Sequence, residues 1–149
     1  MRIVFIPLTF LPRSNGGGAV AMYHAAKALQ NKGHTVSILT AEDHMYHSTL
    51  GQTTQVQESL WDGLVVRRLF YDYRATGLLS PWYDTLNPTV EQQVMDYLRE
   101  QKPDIVHATC GQHLSASPII AAHRLEIPVV LTLIGFWYIC PLTTLLRPD

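Results

Sequence analysis

Short apolar runs alternate with longer amphipathic stretches along this chain. Ile3-Val4-Phe5-Ile6 is continuously apolar and rich in β-branched side chains, the pattern of a strand covered on both faces in a parallel sheet. Met22, Ala25, Ala26 and Leu29 then recur at helical spacing, which predicts a helix over 19–32; Ser14 or Asn15 stands ready to cap it and Gly33 to stop it. A second strand is expected at 35–40, and 41–54, polar and histidine-rich, reads as loop. Asp62-Gly63 marks a turn before a third strand at 64–70, which its two arginines place nearer an edge. Pro88 opens a helix to Gln101, with Val90, Val94, Tyr97 and Leu98 on one face. A fourth strand at 104–108, a helix over 114–125 restarted at Pro118, and a fifth strand at 127–133 complete the pattern, while 71–86 shows no regular period. Strands alternating with helices imply an α/β, Rossmann-like doubly wound parallel sheet, with expected strand order 3-2-1-4-5.

Between the first strand and first helix stands Ser14-Asn15-Gly16-Gly17-Gly18. Glycines at a helix start leave backbone N–H groups approachable, and with the helix dipole these favour an anion; glycine for the turn alone is the competing reading. In a doubly wound sheet ligands lie beyond the carboxyl ends of the strands, where the strand order reverses. That places the glycine turn opposite His107, which ends an otherwise apolar strand and needs a hydrogen-bond partner or a ligand. Arg13 could add charge beside a phosphate, or simply be a solvated loop residue. The run fits neither a dinucleotide fingerprint, since Thr40 stands at the second strand's end with Glu42 and Asp43 beyond, nor a Walker loop, since no Gly-Lys-Ser/Thr follows.

Composition narrows the classes. With 149 residues, 47% of them hydrophobic and 15% charged, the chain is one globular domain spanning 1–149. A formal net charge of -1 without a basic cluster leaves no footprint for nucleic acid. Cys110 and Cys140 form no Cys-x-x-Cys unit, which suits a reducing, cytoplasmic setting, and no apolar run is long enough to span a bilayer. His24, and the pair His44 and His47, lack enough partner ligands, so no metal or other cofactor is expected. Tyr73, Trp82 and Tyr83 suit stacking on the face of a ring-shaped ligand, or packing on the sheet edge. The chain ends at Asp149 soon after the fifth strand with nothing to cover that end of the sheet, so it is expected to belong to a longer protein.

The ordered set of a Met-Arg-Ile-Val strand, the Gly16-Gly17-Gly18 helix start, Asn31-Lys32-Gly33-His34-Thr35-Val36, Asp62-Gly63-Leu64-Val65-Val66, Pro103-Asp104-Ile105-Val106-His107, Ile127-Pro128-Val129-Val130 and Phe136-Trp137-Tyr138 resembles the N-terminal domain of GT-B glycosyltransferases of family four. The resemblance implies one half of a two-domain retaining enzyme that moves a sugar from a nucleotide-sugar donor. This half would mainly hold a sugar or lipid-linked acceptor, and the donor-binding C-terminal domain would lie outside this chain. It implies that Gly16, Gly17 and Gly18 approach the donor diphosphate and the acceptor, that the nucleotide sugar is a co-substrate, and that the fragment alone is inactive. It leaves open a peripheral contact with the cytosolic face of a membrane. Related members often carry His-Asp before the aromatic-Trp pair, where this chain has Ile134-Gly135. Ile134 cannot hydrogen-bond, so that role does not transfer. Two rival functions stand beside this one: a non-catalytic Rossmann-like binding module, and an NAD(P)-dependent oxidoreductase domain.

Overall fold

The computed structural model describes residues 1–43, 55–71, 85–109, 111, 114–140 and 145. The element order is β1 (Arg2–Ile6), α1 (Gly17–Asn31), β2 (Thr35–Asp43), β3 (Gln55–Trp61), β4 (Leu64–Tyr71), α2 (Pro88–Gln101), β5 (Ile105–Ala108), α3 (Ser117–Arg124) and β6 (Val129–Leu131). These strands form one sheet in the order β3-β4-β2-β1-β5-β6. β4, β2, β1, β5 and β6 are the five expected strands, mutually parallel and in the expected order.

β3 is the addition: it pairs antiparallel with β4 and forms the edge of the sheet. Nearly every residue in β3 is exposed, so no apolar alternation marks it. Asp62 and Gly63, with φ of 48° and 75°, make the two-residue turn whose twist suits a hairpin. β4 therefore lies one strand inside the edge. Other boundaries also moved. β2 runs to Asp43, into what reads as loop, because β4 extends alongside it. α1 starts at Gly17 rather than at 19, α3 begins at Ser117 after a turn with Ser115 at φ 58°, and β6 is confined to Val129–Leu131.

Side-chain alternation along β1 divides the core. Val4 and Ile6 join Leu39, Leu69, Val106 and the buried face of α2 (Val90, Val94, Tyr97, Leu98) with Ala121 and Ala122 of α3. Ile3 and Phe5 join Phe10, Val36, Ile38, Leu64 and Val66 under Met22 and Ala26 of α1. Helices thus cover both faces, as a parallel sheet requires. The adjacent arginines of β4 follow the same alternation. Arg67 lies 4.5 Å over the Tyr97 ring and bonds Glu58 and Glu100, each at 2.7 Å, and these carboxylates hold its pKa above the ordinary value. Arg68, nearly fully buried, bonds Glu42 at 3.3 Å and the Leu11 carbonyl at 2.5 Å.

The start of α2 is a second tie across the fold. Buried Asn87 accepts from the Val90 N–H at 3.1 Å, Pro88 takes the first helical position, and the Ser117 hydroxyl donates to the Asn87 carbonyl at 3.0 Å. Asn87→Ala removes that cap inside the core and is expected to lower stability by about 1–2 kcal/mol. The urea midpoint should fall with an unchanged slope, and an unaltered midpoint would deny the cap its role.

Candidate functional site: the glycine start of the first helix

β1 delivers the chain to residues 7–16 at the carboxyl edge of the sheet, and several long-range bonds hold that loop. The buried Thr40 hydroxyl is within 3.3 Å of both the Pro7 and Leu8 carbonyls. Thr109, also buried, accepts from the Leu8 N–H at 3.2 Å, and its own N–H donates to the Ile6 carbonyl at 3.2 Å. Thr9 donates to Ser14 across the loop at 2.9 Å, and Phe10 is buried edge-on to Trp61. Thr40 and Glu42 are thus committed to the loop and to Arg68, which leaves neither free for a ribose.

Gly16 is the N-cap of α1, with extended backbone (φ −62°, ψ 151°), and among the described residues no side chain caps the helix. Neither Ser14 nor Asn15 does so, and Ser14 is turned to Thr9. The first intrahelical bond runs from the Val20 N–H to the Gly16 carbonyl at 3.1 Å. The N–H groups of Gly17 and Gly18 precede it, and they carry the positive end of the helix dipole. No acidic residue lies in the first turn.

A cavity of about 150 Å³ lies at this turn, lined by Pro7, Leu8, Thr9, Gly16, Gly18, Ala19 and Ile134. A Cβ on Gly18 would come within 2.6 Å of Ile134 Cδ1, whereas one on Gly17 would meet nothing within 4 Å among the described residues. Gly18 therefore provides room for Ile134, and Gly17 keeps an open approach. That contact was hidden in the sequence, where Ile134 stands out only as an unexpected residue. Farther along the same segment, the Trp137 ring sits where a side chain on Gly111 would be.

The structure does not bring all the candidate residues together. His107 is half-buried, with Nε2 at 2.7 Å from Thr132 Oγ1 and its ring centroid 4.6 Å from that of Phe5, and it does not line the cavity at the glycines. Thr132, one residue beyond the end of β6 and tied to β5 by its own N–H, which donates to the Ala108 carbonyl at 3.0 Å, supplies the partner that an apolar strand could not. Arg13 lies over Phe70, 4.9 Å from the ring centroid, and lines a different cavity. Tyr73, Trp82, Tyr83, Cys110, His44 and His47 lie outside the described residues. Among the described residues no helix is long and apolar enough to cross a membrane.

These features define a Rossmann-like α/β domain with a cavity at the carboxyl end of its central strand. The family model for the glycosyl transferase 4-like domain matches residues 16–148, and the chain belongs to this family of sugar-transferring enzymes. Nothing among curated proteins matches it. Similar solved structures include E. coli trehalose-6-phosphate bound with UDP-2-fluoro glucose (TM-score 0.56, 14% identity, 91% of this chain and 33% of that one). Glycosyltransferase VinC in complex with DTDP is another (TM-score 0.53, 19% identity, 91% and 35%). The C-terminal domain of PF1911 hydrogenase from Pyrococcus furiosus shares the fold as well (TM-score 0.52, 16% identity, 89% and 90%). At such identities the likeness shows the fold, and the chain spans about a third of the length of the first two.

Burial pushes the His107 pKa below its ordinary value, so the folded state prefers the neutral ring. Between that lowered value and about 6.5 the unfolded chain binds the extra proton, and stability therefore rises with pH across this window. Wild type should lose stability as pH falls below about 6.5, and His107→Gln should lose less over the same interval. Parallel pH dependences from the two unfolding series would remove the assignment.

Proposed function

We propose that this chain is the acceptor-side half of a retaining glycosyltransferase, in which the N–H groups of Gly17 and Gly18 face the diphosphate of a nucleotide-sugar donor. One observation carries the reading: in a chain of this family, the first helix opens on glycines without a side-chain cap, beside a cavity at the carboxyl end of the central strand. When the glycosidic bond to the donor phosphate breaks, negative charge grows on the departing diphosphate oxygens. Fixed N–H donors at a helix start stabilise that charge without reorganising. The bonds from Thr40, Thr109 and Arg68 to the loop supply that fixity.

The donor nucleotide would then rest mostly on a second domain outside this chain, and the acceptor, a sugar or lipid-linked sugar, would enter on this side. A cytoplasmic enzyme touching the cytosolic face of a membrane fits such an acceptor. Ile134 favours a second reading, a non-catalytic binding module, because an apolar side chain covers Gly18 where relatives often carry His-Asp. Sugar transfer by the full-length wild-type protein decides between the two.

Gly17 offers a clean test of the N–H role. It is the first residue of α1, a helical position that accommodates proline, and Gly16 before it already has the extended backbone that a following proline demands. Gly17→Pro should therefore fold while lacking one donor, and Gly17→Ala should fold and keep it. In the full-length enzyme, kcat is expected to fall about a hundredfold for the proline variant and to stay near wild type for alanine. Equal turnover in both would sink the proposal.

A further inference from the structure

The loop that carries the glycines also walls a second cavity, of about 280 Å³, against the β3–β4 hairpin. Pro12 and Arg13 line it from the loop, Gln57, Ser59 and Trp61 from β3, and Arg68 from β4. Each nitrogen of the Arg68 guanidinium already has a partner: Nε has Glu42 at 3.3 Å, Nη1 has Ser59 Oγ at 3.2 Å and Nη2 has the Leu11 carbonyl at 2.5 Å. Glu58 also borders the cavity, and its carboxylate shares the Arg67 guanidinium with Glu100. Arg13 differs. It is exposed, it lies over the Phe70 ring, and among the described residues it has no hydrogen-bond or ion-pair partner.

A guanidinium offers five donors and no acceptor, so it seeks carboxylate or phosphate oxygens. Stacking on Phe70 restrains the Arg13 side chain, which reduces the ordering cost of binding. The Arg68 charge lies close enough to act on that of Arg13, and the single Glu42 carboxylate acts on both. We propose that this cavity binds a small anionic ligand of roughly hexose size, with its carboxylate or phosphate on Arg13 and the rest of it against Gln57, Ser59 and Trp61. The site is separate from the glycine turn and stands whether or not the chain takes part in sugar transfer.

The test is a set of 1H–15N titrations of the 149-residue chain with inorganic phosphate, glucuronate and glucose. Phosphate, glucuronate or both should shift the Trp61 indole and the amides of 57–59, and glucose should not; the tighter anion names the group recognised. Arg13→Gln should weaken that binding about tenfold or more, the loss of one charge-assisted contact. Gln57→Glu, which puts a carboxylate into the cavity while leaving Arg13 in place, should weaken it as well. Absence of shifts with both anions, shifts confined to Gly16–Gly18, equal binding of glucose, or unchanged affinity in either variant would overturn the proposal. Unaltered amide spectra away from the cavity confirm that both variants are folded.

Discussion

Everything at the carboxyl edge of this sheet depends on β1 being covered on both faces and paired on both sides. Val4 and Ile6 are buried toward α2 and α3, Ile3 and Phe5 toward α1, and β2 and β5 run parallel on either flank. Burying four such side chains supplies several kcal/mol, and there is no face left for water. Parallel neighbours send their connections out at one end, so the loops after β1 and β5 emerge side by side. The Thr109 contacts with Ile6 and Leu8 are the direct result. A ligand crevice at that edge is a consequence of topology before any functional residue is considered.

α1, α2 and α3 begin differently, and the difference follows from what each start must satisfy. α2 opens under a buried asparagine cap with proline behind it, and α3 has Pro118 in its first turn. Buried polar groups at those starts need internal partners. α1 opens at the edge of the sheet on glycines, where solvent or a ligand can meet the N–H groups. Its loop is nevertheless fixed, since Thr40, Thr109 and Arg68 bind carbonyls and amides within residues 6–11. A rigid loop with open donors is the form that electrostatic stabilisation of a leaving group needs, because little has to reorganise during reaction.

Legibility of the fold tracked burial. The five parallel strands were readable because strands covered on both faces carry continuous apolar runs. β3 was not, because an exposed edge strand needs no apolar side chains; its evidence lay in the Asp62-Gly63 turn and in carboxylate and hydroxyl partners for the β4 arginines. The glycine start was legible too, since position at a strand-to-helix junction is a local property. The surroundings of Arg13 and His107 were not. One is set by Phe70 at the far end of β4, the other by Thr132 beyond β6, and neither partner is near in sequence.

The sequence alone determined the alternation of strands and helices, the parallel sheet order and the glycines at the first helix, because backbone periodicity and steric freedom act over a few residues. Only the tertiary structure decided that Ile134 packs on Gly18, that His107 has a hydroxyl partner, and that Arg13 belongs to a cavity separate from the one at the glycines. Those outcomes depend on which chain segments the sheet order places side by side, and no local pattern contains that information.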